Sequence, residues 1–349
     1  MIKVRDVLKS DKFCKFLKIK HMDNVEFTPL GQGEYNANYF FLHPETGEKL
    51  VLRINTGSQM NLENQISYEY DALKLLEKTG RTPNALFADD SKTSIPYGFL
   101  VMEYLPGRSL VYETDMEAAA QCLADIHNYE VLNTHHLISP KFPLKAIFEE
   151  CEKMFGVYTD SGMGLRDVTN LIIDLLREGK RLTDTQSYGE KRCIINTELN
   201  SGNFLINSNN GIEGINGTEC IRCKIKRDYV IDWEKPLFAH ASQDLGHFLA
   251  PTTTFWKTDS ILTQEDIDSF LKCYSMHSQR YRDFEFLKSC VSPYIAMTCL
   301  RGITWCSMAW VEYNSPDRKL KNEDTRKKIN QYMDLKFLEF IRDEYVRGC

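Results

Sequence analysis

The sequence of 349 residues has no long hydrophobic run and no excess of positive charge. Its longest apolar stretch, at 97–105, contains Glu103 and is far shorter than the roughly 20 residues of a membrane-spanning helix. Lys and Arg interrupt the first segment of the chain, so it has no apolar core of a secretory signal. A formal net charge of -6 disfavours nucleic-acid binding, which usually needs a basic surface. We therefore expect a cytoplasmic protein that binds neither membranes nor nucleic acids.

A disulfide framework is also lacking. The 11 cysteines are irregularly spaced and odd in number, which favours reduced thiols. Cys220 and Cys223 form a C-x-x-C sequence, but no second C-x-x-C or H-x-x-x-H lies nearby to complete a zinc site. We interpret this pair as structural.

What the sequence does contain is the composition of an ordinary folded protein, 42% hydrophobic and 26% charged. Residues 3–20 predict a short amphipathic helix, and β-rich segments then flank a helix predicted at 63–79. Pro106-Gly107 breaks a strand and predicts a lobe boundary, with an N-terminal lobe at 1–105 and a C-terminal lobe at 106–349.

Helical patterns dominate the second predicted lobe. They are interrupted by one strand-rich island at 192–233. The helical segments are predicted at 115–130, 143–155 and 163–179, with several more after 263.

The strand-rich island carries the strongest functional pattern, because two short hydrophobic strands each deliver polar residues. The first is followed by Glu198 and Asn203, and the second ends at Asp232. Phosphoryl transfer needs a carboxylate that orients the acceptor hydroxyl and Mg²⁺ that neutralises phosphate charge. Mg²⁺ prefers carboxylate and amide oxygens. Taken singly, each residue would be interpreted as a loop or turn residue; together they predict Asn203 and Asp232 as metal ligands and Glu198 as the group facing the acceptor.

This pattern resembles the aminoglycoside phosphotransferase and choline kinase-like family, whose fold is similar to that of protein kinases. The catalytic loop of the family, H-x-D-x-x-x-x-N, is matched by Asn196, Glu198 and Asn203. Its I-D-W/F-E metal motif is matched by Asp232 and the two residues that follow. Its D-L-x-x-F-L helix is matched from Asp244, which we expect to cap or brace the catalytic loop.

Segments further upstream extend the resemblance over roughly residues 28–250. Gly31 and Gly33 resemble the nucleotide loop of the family. Arg53 occupies the position at which the family has a cation for the nucleotide phosphates. Glu69 occupies the position of the helix residue that pairs with this cation.

The strand at 99–107 resembles the family hinge that takes the adenine edge, which implies nucleotide contacts at Glu103 and Leu105. The resemblance also implies the fold class. That class is α+β, a protein-kinase-like two-lobed fold with a small β-rich N-lobe around one main helix and a larger, mostly helical C-lobe.

The implied activity is transfer of the γ-phosphate of ATP or GTP, with Mg²⁺, to a hydroxyl of a small molecule resembling an aminoglycoside or an amino alcohol. Two departures keep an alternative open, since Asn196 replaces the family histidine and Glu198 its aspartate. Glutamate is longer by one C–C bond, about 1.5 Å, and misplacement on the order of 1 Å can cost about 100-fold in rate. The alternative is a catalytically weak or inactive nucleotide-binding pseudokinase with a regulatory or binding role. A protein kinase is a weaker third interpretation, because H-R-D, D-F-G and A-P-E sequences are lacking.

Overall fold

The chain is described by a computed structural model. The described residues are 3–19, 25–33, 35–58, 60–132, 136–184, 189–208, 227–315 and 322–347. Contacts divide the chain into two compact units. The first unit comprises Met1–Ile138 and Asn203–Leu237, and the second comprises Ser139–Gly202 and Phe238–Cys349. The lobe boundary after residue 105 stays a prediction, and these units place 106–138 and 203–237 with the N-terminal sheet.

A five-stranded antiparallel sheet forms the core of the first unit. Its strands are β1 (Thr28–Gln32), β2 (Asn36–Leu42), β3 (Lys49–Asn55), β4 (Ala85–Asp89) and β5 (Gly98–Glu103). Their spatial order is β1-β2-β3-β5-β4. Because side chains alternate between the faces of a strand, Leu52 and Ile54 of β3 pack into one apolar cluster, while Arg53 lies on the opposite face.

The N-terminal segment packs against that apolar cluster as two short helices. A 3-10 helix at Val4–Lys9 is followed by α1 (Asp11–Leu17). The prediction of one helix over residues 3–20 was therefore wrong. Ser10 separates the two helices, because its hydroxyl accepts a hydrogen bond from a backbone N–H of α1 as N-cap and donates one to Asp89, each at 3.3 Å.

The opposite face of the sheet meets α2 (Gln65–Leu76), which confirms the helix predicted from the sequence. A 3-10 turn at Glu77–Thr79 follows, and Gly80 ends it with a φ of +62°. The other elements of the first unit are α3 (Tyr112–Asn128), β7 (Phe204–Leu205) and β8 (Tyr229–Val230).

The second unit is largely helical. Its helices are α4 (Pro143–Asp160), α5 (Arg166–Leu182), α6 (Ala241–Leu249), α7 (Pro251–Thr258), α8 (Gln264–His277), α9 (Phe284–Asn314), α10 (Glu323–Tyr332) and α11 (Leu335–Ile341), with a final π-helical turn at Arg342–Val346. Strands β6 (Arg192–Ile195) and β9 (Leu237–His240) pair beside them. The long helix α9 packs against α4 to α8. A Cβ at Gly246 of α6 would lie 2.8 Å from the Tyr294 carbonyl carbon, so glycine permits the close approach of α6 to α9.

Two further expectations concern membranes and cysteines. Within the described ranges, no helix combines the length and the apolar character needed to cross a membrane. No disulfide joins the eight cysteines that lie in those ranges. Cys220 and Cys223 lie outside the described residues.

Candidate active site

Arg53 lies at the centre of a partly buried charged cluster in the first unit. It is 3% exposed, and its Nε lies 3.2 Å from Oε2 of Glu69 on α2. Its Nη2 donates a hydrogen bond to Asp232 and lies 3.5 Å from Oε2 of Glu234. The structure thus brings together three residues predicted from the sequence and adds Glu234. Their functional roles stay predictions.

The cluster contains more negative than positive charge. When all four side chains are ionised, one guanidinium group faces three carboxylates. Burial raises the pKa of Glu69 to about 7, opposed by Arg53 and reinforced by Asp232 and Glu234. Burial alone would lower the pKa of Arg53. The three carboxylates raise this pKa by more than burial lowers it, so the net shift is upward. A divalent cation would offset the surplus negative charge.

Asn203 and Asp232, the two predicted metal ligands, are neighbours in the first unit. Strands β7 and β8 pair antiparallel with Phe204 opposite Val230, and the N–H of Ile231 donates to the carbonyl of Asn203 at 2.8 Å. Asp232 is the residue after Ile231, the donor of this hydrogen bond, and it has a φ of +64°. Asp is one of the few non-glycine residues that adopt the left-handed region readily, so this backbone conformation suits the residue found here. The structure places the two residues side by side along the backbone.

The residues present fit one kind of Mg²⁺ site. No group of three or more His, Cys, Asp and Glu side chains among the described residues is arranged to hold a metal ion. Mg²⁺, however, is commonly held by one or two protein carboxylates, with phosphate oxygens and water as the other ligands. The Asn203 amide and the Asp232 carboxylate, beside surplus negative charge, fit a site that the nucleotide completes.

The predicted nucleotide loop begins at Gly31, which lies in β1 and pairs with Asn38 of β2, and continues at Gly33 in the turn between the two strands. The N–H of Gly33 donates to the carbonyl of Asn36 at 2.8 Å. A Cβ added at Gly31 would meet no described atom within 4 Å, and one at Gly33 would meet only that carbonyl oxygen, at 3.8 Å. Packing of the described residues therefore does not require glycine here, and the missing side chains leave the backbone open to a ligand.

The predicted hinge connects the sheet to the strand that follows Asn203. Glu103 ends β5, and Leu105 is 8% exposed. Gly107 has a φ of +146°, and Arg108 exchanges two backbone hydrogen bonds with Ile206, at 3.3 and 2.8 Å. The predicted adenine contacts of Glu103 and Leu105 stay predictions.

In the second unit, the carboxylate of Asp244 holds the predicted catalytic loop. Asp244 is fully buried, and its two oxygens accept hydrogen bonds from the N–H groups of Asn196 and Thr197, both at 2.7 Å. This confirms the expected bracing role of Asp244. Thr197 has a φ of +75°, a strained conformation for a β-branched residue. Asn196, which replaces the family histidine, accepts a hydrogen bond from the N–H of Glu198 at 3.1 Å and so helps to shape the loop.

The Glu198 side chain is 25% exposed, so its carboxylate remains reachable from solvent. Nη2 of Arg301 on α9 lies 4.0 Å from its Oε1. Arg301 carries no recognisable signal in the sequence, because the C-terminal segment matches the family only in being helical.

Comparisons with known proteins agree with this description. The sequence model of the phosphotransferase enzyme family matches residues 26–215, more than half of the chain. No curated protein sequence matches the chain. Among solved structures, the choline kinase of Cryptosporidium parvum superposes with a TM-score of 0.63 at 13% identity, covering 99% of this chain and 98% of that one.

Two further solved structures show the same fold. Plasmodium vivax ethanolamine kinase matches with a TM-score of 0.58 at 12% identity, covering 92% of this chain and 85% of that one. Spectinomycin phosphotransferase in complex with ADP and spectinomycin has a TM-score of 0.58 at 13% identity, covering 91% and 92%. At this level of identity the likeness concerns the fold, and it confirms the predicted α+β, protein-kinase-like class.

Proposed function

Because the chain belongs to the phosphotransferase enzyme family, as its resemblance to aminoglycoside phosphotransferases and choline kinases predicted, we propose that it transfers the γ-phosphate of ATP or GTP to a hydroxyl group of a small molecule. The observation that carries this proposal is the partly buried charged cluster of Arg53 with Glu69, Asp232 and Glu234. A cytoplasmic location and the lack of nucleic-acid or membrane partners stay predictions from composition.

The first unit supplies the proposed nucleotide contacts. Arg53 binds phosphate oxygens, because a guanidinium group presents several N–H donors in a planar fork. Glu69 keeps Arg53 in place from α2, at 3.2 Å. Gly31 and Gly33 leave room for the phosphates beside the hairpin backbone, and Glu103 and Leu105 take the adenine edge, as the family resemblance implies.

Asn203 and Asp232 are the proposed Mg²⁺ ligands. Their neighbouring backbone positions and the surplus of negative charge around Arg53 support this assignment. When bound, Mg²⁺ neutralises the charge of the transferring phosphate. The donor set of one carboxylate and one amide leaves the remaining metal ligands to phosphate and water.

Glu198 is the proposed catalytic carboxylate, which accepts the hydrogen bond of the acceptor hydroxyl and orients it. The loop that carries it is well supported, since Asp244 and Asn196 bind its backbone. A braced loop with a reachable carboxylate supports an active kinase more than a pseudokinase. The assay described next therefore includes a result that would favour the pseudokinase instead.

A phosphate-transfer assay tests this proposal. Transfer from labelled ATP is measured with aminoglycosides, amino alcohols, sugars and nucleosides in the presence of Mg²⁺. We expect at least one acceptor to be phosphorylated, and Asp232→Ala and Glu198→Gln to lower this turnover by about 100-fold or more. Asp125→Ala is the matched control, because Asp125 also pairs with an arginine in the first unit and is 43% exposed, against 38% for Asp232.

The results separate the alternatives. Full turnover by Asp232→Ala would overturn the metal assignment. No turnover by the unmodified chain, combined with nucleotide binding, would favour the pseudokinase. Gain of transfer in Glu198→Asp would then show that the longer side chain had silenced the site.

A further inference from the structure

Arg301 forms a two-pronged ion pair within the second unit. From α9, its Nε and Nη2 donate to the two carboxylate oxygens of Glu150 on α4, at 3.0 and 3.1 Å. Two parallel hydrogen bonds fix the plane of a guanidinium group as well as its position. Arg301 is therefore a cation with a defined orientation.

The same guanidinium group also faces the candidate catalytic carboxylate. Nη2 of Arg301 lies 4.0 Å from Oε1 of Glu198, and both side chains are about one-quarter exposed, at 26% and 25%. Burial alone would lower the pKa of Arg301. Glu150 and Glu198 raise this pKa by more than burial lowers it, so Arg301 stays charged. At this distance the two groups attract each other without a direct hydrogen bond.

The length of Glu198 matters for this contact. Aspartate at the same backbone position would be shorter by about 1.5 Å, one C–C bond. Its carboxylate would then lie roughly 5.5 Å from Arg301 if the backbone stayed in place. The longer residue at this position is thus matched to a cation on α9.

We propose that Arg301, anchored by Glu150, is a positioning residue that holds the carboxylate of Glu198 where the acceptor hydroxyl must approach. This inference rests on the proposed function. A positioning role and a purely structural role of Arg301 predict different effects on the orientation of Glu198. A structural Arg301 would only join α9 to α4 through Glu150, and its loss would affect stability but not the orientation of Glu198.

The test compares steady-state kinetics of Arg301→Met, Arg301→Lys, Glu150→Gln and Glu198→Gln with the unmodified protein. Turnover of Mg·ATP is measured with the acceptor that responds in the transfer assay, or with water as acceptor where none responds. Lys288→Met is the matched control, because Lys288 also lies on α9, pairs with Asp268 of α8 at 2.8 Å, and is 32% exposed. Thermal melting confirms that each variant is folded.

We expect Arg301→Met to lower kcat by about 10-fold to 100-fold, because the reacting group is no longer held in place. The KM for ATP should stay within about two-fold, since the nucleotide does not depend on this contact. Arg301→Lys keeps the charge and should recover part of kcat. Glu150→Gln should lower kcat in the same direction but less, and Lys288→Met should leave it unchanged.

Two results would overturn the inference in distinguishable ways. If Arg301→Met turns over like Lys288→Met while Glu198→Gln is inactive, the proposed function stands and Arg301 has no positioning role. If Glu198→Gln is as active as the unmodified protein, or the unmodified protein shows no turnover, the proposed function itself fails and the role of Arg301 fails with it.

Discussion

The two units hold their candidate functional groups in different ways. In the first unit, Arg53 and Glu69 are buried and held by ionic contacts with Asp232 and Glu234. In the second unit, Glu198 is partly exposed and its loop is held by backbone hydrogen bonds. Buried charges couple ligand binding to stability and to pH. In the second unit, the stability of the loop therefore depends on hydrogen bonds to its backbone rather than on the charge of Glu198.

The largest expected effect comes from removing the buried cation. Arg53→Met leaves Glu69 and its neighbouring carboxylates without their counter-charge, so we expect the free energy of unfolding to fall by about 3–5 kcal/mol. Nucleotide binding should be lost as well. Urea unfolding and calorimetric titration with Mg·ATP measure the two effects. Lys74→Met, which breaks an exposed ion pair with Glu77 in the same unit, should change stability by only about 0.5 kcal/mol.

The second effect is a pH dependence of stability that arises from Glu69 in the first unit. Glu69 has its pKa raised to about 7 in the folded state, against a value of 4.5 without burial. The folded state therefore binds the proton more tightly. The stabilisation that comes from protonated Glu69 is complete below pH 4.5 and is lost as the pH rises through about 7. The unfolding free energy of the unmodified protein should fall relative to Glu69→Gln over this range, by roughly 3 kcal/mol at most.

Urea unfolding of both proteins at several pH values measures this difference. Mg·ATP should flatten the pH dependence, because metal charge favours the ionised carboxylate. A constant difference between the two proteins from pH 4.5 to 7 would contradict the account of the cluster.

The smallest expected effect lies in the second unit. Asp244→Asn leaves one acceptor oxygen where two backbone N–H groups were bound, so we expect stability to fall by about 1–3 kcal/mol. Turnover should fall too, while the affinity for Mg·ATP should change little. Asp174→Asn, at an exposed ion pair on α5, is the control for loss of a charge. An unchanged unfolding curve for Asp244→Asn would contradict the bracing role.

The sequence predicted much of this arrangement because local patterns encode it. The family resemblance located Arg53, near the end of a short apolar strand, and Glu69, inside a helical pattern. Polar residues at two strand ends located Asn203 and Asp232. Periodicity located the strands and helices, and the residue types at their ends, together with the family motifs, located the candidate side chains.

Other features depend on tertiary contacts and could not be predicted. The N-terminal helix divides at Ser10 because Asp89, far along the chain, accepts its hydroxyl hydrogen bond. Glu234 lies in a matched motif, but its place beside Arg53 is a tertiary contact between residues 181 positions apart in the sequence. Arg301 lies on a helix whose sequence shows no functional motif, and only its contacts with Glu150 and Glu198 distinguish it.

The proposed metal site depends above all on Asp232, which is assigned as a ligand of the ion that accompanies the nucleotide. Calorimetric titration with ATP, in Mg²⁺ and again in EDTA, tests this claim on the unmodified protein, Asp232→Ala and the control Asp125→Ala. We predict that Mg²⁺ tightens ATP binding by about 10-fold or more in the unmodified protein and the control, and that this gain disappears in Asp232→Ala. A full gain in Asp232→Ala would contradict the account.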